Sequence, residues 1–503
     1  MTGPRYLCID LGLTATKAVV FDETGTELAS ALGDTPVAVE GEASTVDMDA
    51  AWRLTARLVR EALGQAEAAG PGRLAGVGVS GHGGGLYPIT VEGRPAGLAL
   101  TSMDGRAQGV VEEWVAEGLS AYPLTHHSPW AGQLLPEARL LRDRERARYD
   151  RTRWTLGAKD WLVFQLTGVA SADRTDASNN GLLDLATGSY APVLYARFGV
   201  PELSAKLAPV HESAEVVGRV SAVAAAETGL AEGTPVVAGM FDVVACAVGS
   251  GALDARSASL IAGTWNINSV FDDRLLETPP SVKTSLGPDA GRFAYVESSA
   301  TSAGNLTWFL ARVEELLGAE PGGRDALYDR LNAGVERLPP GAGGLVYLPF
   351  VHRAHLAPGV DAAFTGMRAE HSAFHLTRAI YEGVAFAHRA HLALLEAGGL
   401  RRERAVLSGG AAHSAVWCQI FADALGRPVE TSDAAQAGAR GIAMAIAVGT
   451  GRLASYAEAA AAMVRPGRRY TPDPTRGGAY VDAYQRFREV ACRLGGPAPN
   501  LRL

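Results

Sequence analysis

Two periods of apolar residues organise the chain. YLCIDLG, from residue 6, is a continuous apolar run of the kind a strand buried on both faces produces, and KAVVFDETGTELAS, residues 17 to 30, reads as two β segments about a turn at Thr24, Gly25 and Thr26. Residues 49 to 70, DAAWRLTARLVREALGQAEAAG, change to helical spacing with Gly70 as the stop, and LAGVGVSG, residues 74 to 81, returns to a short buried strand. The same order recurs later. ARSASLIAGTWNINSVFD, residues 255 to 272, gives two strands about a Gly-Thr turn. FHLTRAIYEGVAFAHRAHLALLEAGG, residues 374 to 399, gives a long helix ending at paired glycines, and RAVLSGG from residue 404 gives another strand. Strands alternating with helices twice over predict an α/β protein of two similar halves, residues 1–250 and 251–503, with ligands at the strand ends and in the cleft between the halves. The Gly- and Pro-rich stretches 339 to 344 and 465 to 478 read as loops.

Length agrees with that division, because 503 residues exceed what one hydrophobic core organises. A formal net charge of −8 argues against nucleic acid as a partner. The densest basic stretch, residues 139 to 153, interleaves acids and reads as a solvated helix face without a binding role. Cys8, Cys246, Cys418 and Cys492 lie far apart without metal-like spacing, so they are expected to be reduced and buried. No stretch is long and apolar enough for a membrane span, and no leader-like segment opens the chain, which makes the cytoplasm the expected compartment.

Four segments carry candidate chemistry. IDLGLTATK, residues 9 to 17, ends a buried strand on Asp10 and follows it with a turn offering Gly12, Thr14, Thr16 and Lys17. Such a turn either holds phosphate oxygens beside an acid that binds Mg2+, or is a capped hairpin. Asp242 is the one carboxylate in VVAGMFDVVACAVGSGAL, residues 236 to 253. An acid there is a helix cap, the buried partner of a cation, or a functional base. In LIAGTWN a strand breaks at Gly263 and Thr264, which could bring donors to a phosphate. VLSGGAAHS has Gly409 and Gly410 between strand and helix, which suits close approach of a flat base or a phosphate and equally suits a plain turn. Other patterns are set aside. Gly76 to Gly81 fits GxGxxG, with Asp104 at dinucleotide-like distance, but no helix opens behind it. The pairs His352/His355, His371/His375 and His388/His391 have metal-like spacing without a third ligand, and read as surface or partly buried histidines.

In this order, from about Tyr6 to Tyr484, the segments resemble the FGGY family of carbohydrate kinases. AAFTGMRAEHSAFHLTRAIYE, residues 362 to 382, follows the family's C-terminal signature at Ala362, Phe364, Gly366, Met367, His375, Leu376, Ala379, Ile380, Tyr381 and Glu382, and AKDWLVFQLTG, residues 158 to 168, looks like the first signature. The resemblance implies two actin-like (RNase H-like) domains with an interdomain cleft, the N-terminal one taking the sugar and supplying the base, the C-terminal one taking ATP. It matches Asp10, Thr14 and Lys17 to the phosphate motif, with Mg2+ at Asp10, and Asp242 to the catalytic base. Gly263, Thr264, Gly304, Asn305, Gly409, Gly410, Ala411 and Ser414 match nucleotide-lining positions, and His82, Asp104 and Arg106 match substrate-facing ones. Val243 and Val244 replace the Gln of glycerol kinases and the usual Asn of D-xylulokinases after the base, and Gly81-His82-Gly83-Gly84 replaces Gln-Met-His-Gly. GMFDVVACA, AGTWNINS and TSAGNLTWF look closest to the L-xylulokinase subgroup. The expected reaction is phosphorylation of a terminal hydroxyl of a ketopentose such as L-xylulose, with D-xylulose or a polyol such as erythritol as alternatives. Family members are often dimers, so a homodimer is expected. An actin-like ATP-driven switch and a non-catalytic sugar sensor are the competing classes; the family signature opposes the first, and the presence of both Asp10 and Asp242 the second.

Overall fold

The computed structural model describes residues 3–279, 281–317, 324–352, 355–432 and 436–495. Two compact units divide the chain. The first comprises Met1–Leu253 with Phe271–Tyr295 and Gln436–Val464; the second comprises Asp254–Val270, Val296–Ala435 and Arg465–Leu503.

In the first unit β1 (Pro4–Leu11), β2 (Ala15–Asp22) and β3 (Glu27–Asp34) form an antiparallel meander. Helix α1 (Met48–Ala68) follows, started by the Asp47 side chain, which accepts the Ala50 N–H at 3.0 Å. Strand β4 (Arg73–Gly81) then lies parallel to β1. Further on come α2 (Ala158–Thr167), α3 (Arg174–Asn179), β5 (Val216–Arg219), β6 (Pro235–Val237), β7 (Met240–Phe241) and α4 (Asp242–Gly249). The sheet order is β5-β6-β4-β1-β2-β3, with β7 also pairing parallel to β4.

Strict alternation along β1 and β2 gives this sheet two buried faces. Leu7, Ile9, Leu11, Ala18 and Val20 pack with residues of α1 and α2, while Tyr6, Cys8, Val19 and Phe21 pack with α4 and the Ala437–Gly449 helix. The glycines of the dinucleotide-like pattern serve this packing. A Cβ on Gly76 would lie 2.7 Å from Ile446 Cγ2, and one on Gly78 2.6 Å from Ile442 Cγ2, so both admit the Ala437–Gly449 helix onto β4.

The second unit repeats the scheme. β8 (Ser257–Ala262) and β9 (Asn266–Asp272) form an antiparallel hairpin, followed by β10 (Phe293–Ser299), α5 (Gly304–Leu317) and the long α6 (Ala373–Ala397). Strand β11 (Arg404–Ser408) lies parallel to β8, and after α7 (Ala415–Leu425) β12 (Val429–Ser432) lies parallel to β11. The order runs β10-β9-β8-β11-β12-β13, with the short strand Lys283–Leu286 beyond β10. Here β13 (Pro466–Tyr470) corrects the loop expected over 465 to 478: it is an antiparallel edge strand on β12. Its Pro466 sits at the strand start, where a missing donor is tolerated, and a Cβ on Gly467 would lie 2.3 Å from the Thr431 carbonyl oxygen.

All four cysteines are free; Cys8 and Cys418 are buried, whereas Cys246 and Cys492 are only partly covered, contrary to the expectation for them. Among the described residues no helix is long and apolar enough to cross a membrane.

Candidate active site

Parallel pairing decides what meets at the strand ends of the first unit. Asp10 on β1 is in register with Ser80 on β4, and Met240 on β7 is in register with the same Ser80 from the other side. Asp10 on β1 and Asp242, the residue that follows β7, therefore come to the carboxyl end of β4 from its two sides. Ser80 Oγ donates to Asp10 Oδ1 at 2.8 Å. Asp242 is half-buried as the first residue of α4, and the Val243 N–H favours its ionised form. Burial first, and then the negative charge of Asp10, nevertheless push the Asp242 carboxyl up to about 8. Lys17 faces Asp10 across the β1–β2 pair, yet its ammonium donates to Gln436 Oε1 at 3.1 Å rather than to either carboxylate. Two acids that repel each other, one of them already oriented by a hydroxyl, suit a divalent cation with oxygen ligands.

Thr14 is exposed at the turn and Lys17 half-buried beside it, whereas Thr16 turns inward, its hydroxyl 2.9 Å from that of Thr35, which in turn donates to the Gly12 carbonyl at 2.8 Å. Thr16 thus fastens the turn to β3 and is no phosphate donor.

Leaving β4, the chain places His82 against Leu11, its N–H donating to that carbonyl at 3.0 Å. Its ring meets Tyr87 Oη at 3.0 Å and Ser102 Oγ at 3.5 Å. Burial keeps the ring neutral, lowering it to about 4. His82 consequently offers a neutral hydrogen bond and no charge. Asp104 is buried and accepts the Ser44 N–H at 3.0 Å and a forked pair from Arg106, Nε at 2.9 Å and Nη2 at 2.6 Å. The Arg106 charge is thereby matched within its own loop.

Several residues important to this site escaped sequence reasoning. Lys159, fully buried, pairs with Asp160 and lies 3.4 Å from Asp173. Asp173 caps α3 by accepting the Thr175 N–H at 2.8 Å and its hydroxyl at 2.5 Å, and Thr175 Oγ1 accepts the Phe241 N–H at 2.9 Å. That relay ends one residue before Asp242. The signal was visible: Lys159 and Asp160 interrupt an apolar helix in AKDWLVFQL, where a charge pair is costly unless partnered. Glu137 is the second omission. Both its carboxyl oxygens are buried without a hydrogen-bond partner among the described residues, and burial, then the charge of Asp104, raise it well above the usual carboxylate range.

In the second unit the β8–β9 turn brings its residues to the end of β11. Gly304 N donates to the Gly263 carbonyl at 3.1 Å, and a Cβ on Gly304 would lie 3.2 Å from Thr264 Cα. Gly409 has φ +85°, and a Cβ there would lie 2.7 Å from the Ala262 carbonyl carbon and 2.9 Å from Gly263 N. Gly263, Thr264, Gly304, Gly409 and Gly410 so form one patch, with Thr264 and both glycines of the 409–410 pair exposed. Bare backbone of this kind admits phosphate or a flat ring closely. The other three candidates turn inward. Asn305 is buried, accepting from Tyr347 Oη at 3.0 Å and donating to the Ser302 carbonyl at 3.1 Å. Ala411 is buried, and Ser414 caps α7 while donating to Asn332 Oδ1 at 2.8 Å. These side chains hold the patch in shape.

The histidine pairs also need correction. His388 and His391 are fully buried rather than surface or partly buried. Asn268 Oδ1 lies 2.8 Å from His388 Nδ1, and Glu297 Oε2 lies 2.9 Å from His391 Nδ1, so polar partners from the sheet make burial possible.

Comparison with known proteins supplies the context. The model of the FGGY family of carbohydrate kinases, N-terminal domain, matches residues 5–249, and that of the C-terminal domain matches residues 258–450. A protein of Escherichia coli (strain K12) named L-xylulose/3-keto-L-gulonate kinase is 33% identical over 501 residues, covering 98% of this chain and 97% of its own. A probable L-xylulose kinase of Pasteurella multocida is 32% identical over 495 residues, covering 97% and 99%. Among solved structures, a xylulose kinase from Rhodospirillum rubrum superposes with a TM-score of 0.86 at 28% identity, over 99% of this chain and 100% of that one.

Proposed function

This chain belongs to the FGGY family of carbohydrate kinases and is an ATP-dependent sugar kinase, and we propose that its acceptor is a ketopentose of the L-xylulose type, phosphorylated at a terminal hydroxyl. The observation that carries the catalytic part of the proposal is the convergence of Asp10, on β1, and Asp242, one residue past β7, on the two sides of Ser80. Asp242, with its carboxyl raised to about 8, has the proton affinity of a base working near neutral pH. It orients the attacking hydroxyl and accepts its proton as the oxygen reaches phosphorus. Asp10, held by Ser80, is the residue to hold Mg2+, and Lys17 and Thr14 stand beside it for phosphate oxygens. Mg2+, when bound, neutralises charge on the transferring phosphoryl group.

His82, Asp104 and Arg106 are assigned to the sugar. His82 is neutral and Arg106 is matched by Asp104, which favours a polyhydroxylated neutral acceptor over an anionic one. That favours L-xylulose over 3-keto-L-gulonate, the two acceptors in the name of the E. coli relative. The second unit is assigned to ATP, its phosphates meeting the backbone of Gly263, Thr264, Gly304, Gly409 and Gly410, with Asn305, Ala411 and Ser414 shaping that patch. The reading extends to a cytoplasmic location and a homodimer, the latter checked by light scattering.

An ADP-release screen over ketopentoses, polyols and keto-hexonates, with and without Mg2+, tests the reading. The expected result is metal-dependent ADP release that requires a sugar, with kcat/KM highest for L-xylulose. Equal or greater kcat/KM for D-xylulose, erythritol or 3-keto-L-gulonate overturns the substrate assignment, and ATP hydrolysis indifferent to every sugar overturns the kinase reading.

A further inference from the structure

Within the second unit, three side chains distant in sequence converge outside the set of residues assigned above. Glu297 comes from β10, His391 from α6, and His355 from the segment after residue 352. Their ligand atoms all lie within 4.8 Å of one another. Glu297 Oε2 is 2.9 Å from His391 Nδ1 and 3.0 Å from His355 Nε2. Bonds of about 2.0 to 2.1 Å in a tetrahedral site place neighbouring ligand atoms about 3.3 Å apart, so a small outward shift of each ring opens room for an ion. A second observation points to a ligand. Glu297 is 1% exposed, and its Oε1 has no hydrogen-bond partner among the described residues.

We propose that Glu297, His355 and His391 form a binding site for a divalent transition-metal ion of the zinc class. Two imidazoles and one carboxylate are a borderline donor set that suits Zn2+ and its neighbours, and not Mg2+ or Ca2+, which take oxygen. The surroundings of the ligands fit as well: His391 Nε2 lies 2.7 Å from Ser299 Oγ, which lies 2.8 Å from Thr301 Oγ1, and that oxygen accepts from Asn266 Nδ2 at 3.2 Å. With the metal on Nδ1, the other ring nitrogen donates to Ser299, which fixes the tautomer. The His355 side chain is 40% exposed and gives the ion its route in. Three protein ligands leave a coordination position for water. The site ties the His355 segment to β10, whose continuation through Ser302 supports Asn305.

The full chain, stripped with a chelator, is titrated with Co2+ and followed by its visible ligand-field bands, then with Zn2+ in competition, in the absence of nucleotide. One equivalent of Co2+ is expected to bind and to be displaced by Zn2+ but not by Mg2+, with the melting temperature rising on Zn2+ addition. Because His355 is at the surface, His355→Ala should fold normally and lose at least about 100-fold in affinity, and Ser299→Ala about 10- to 100-fold. Glu297→Gln and His391→Asn should abolish the bands. A wild-type chain that takes up no stoichiometric Co2+, or a folded His355→Ala chain that binds as tightly as wild type, overturns the site. Sugar phosphorylation is not the readout, so either result leaves the kinase reading untouched.

Discussion

Replacing Asp242 with Asn separates chemistry from stability. In the folded chain the carboxyl is raised to about 8, against about 3.9 in an unfolded chain. An acid raised on folding binds more protons in the native state, so its ionisation weakens the fold progressively as pH rises from about 4 to about 8. A rise of that size would be worth roughly 6 kcal/mol at full weight. The side chain is only half-buried, and water screens it, which reduces the effect to on the order of 1 to 3 kcal/mol at pH 8. A carboxamide in its place keeps the shape and removes the charge. Asp242→Asn should therefore be more stable than wild type at pH 8 by that amount, with the gap closing by about pH 4. The same change removes the proposed proton acceptor, which is worth about 10²- to 10⁴-fold in turnover, or about 3 to 5 kcal/mol of barrier. Urea unfolding at pH 5 and pH 8 reads the first effect, and coupled ADP release with saturating ketopentose reads the second. Nucleotide affinity should stay within about twofold, because the substitution leaves the second unit's glycine patch alone. Turnover within tenfold of wild type, or a variant less stable than wild type at pH 8, refutes the reasoning.

Thr175→Val removes the acceptor of the Phe241 N–H without changing bulk; the variant should lose about 1 to 3 kcal/mol in thermal unfolding, and kcat should fall while KM for ATP does not. Gly409→Ala places a Cβ 2.7 Å from the Ala262 carbonyl carbon at a φ of +85°, so a loss of about 2 to 4 kcal/mol and a raised KM for ATP are expected, with KM for the sugar unchanged. His82, lowered to about 4 by burial, stays neutral while the unfolded chain protonates below about 6.5, so it withdraws stability as pH falls from 6.5 to 4, by about 3 kcal/mol at the lower end. His82→Gln should flatten that part of the stability profile relative to wild type, and identical acid limbs in the two proteins would remove His82 from it.

Elements with a clean period were legible in the sequence, and so were residues at strand ends. Asp10 lies in the last positions of an apolar run, and Gly263 and Gly409 directly follow such runs, whose length and alternation mark buried strands, so the place where each strand stops locates these residues. Asp242 stood out because no other charge accompanies it. What stayed hidden depends on partners brought from elsewhere in the chain. Nothing in HRAHL shows that Glu297 and Ser299 will satisfy His391, or that Asn268 will satisfy His388. In the same way β13 was hidden under Pro and Gly, because its pairing with β12 comes from an edge that only the folded sheet provides.

The polar residues under the first unit's strand ends follow one principle. A base close to another acid is unstable by construction, and it keeps its position only if surrounding structure over-determines it. Lys159 supplies that constraint: it is fully buried beside Asp160 and Asp173, with Asp176, raised well above the usual range chiefly by burial, left to retain its proton. A buried ion group of this kind contributes little net stability compared with an apolar core of the same volume, but removing one member leaves an unmatched charge at a cost of about 3 to 5 kcal/mol. Its value is geometric. Through Asp173 and Thr175 it fixes the Phe241 N–H, and through β7 the start of the helix that carries Asp242. The glycines Gly249 and Gly441 act on the other side of that helix, where a Cβ would strike the Ala437 and Ala245 carbonyls, so α4 and the Ala437–Gly449 helix pack backbone to backbone. Held from both sides, α4 keeps a carboxyl where burial first and then the charge of Asp10 disfavour its ionisation, and the proton affinity that results is what the proposed base requires.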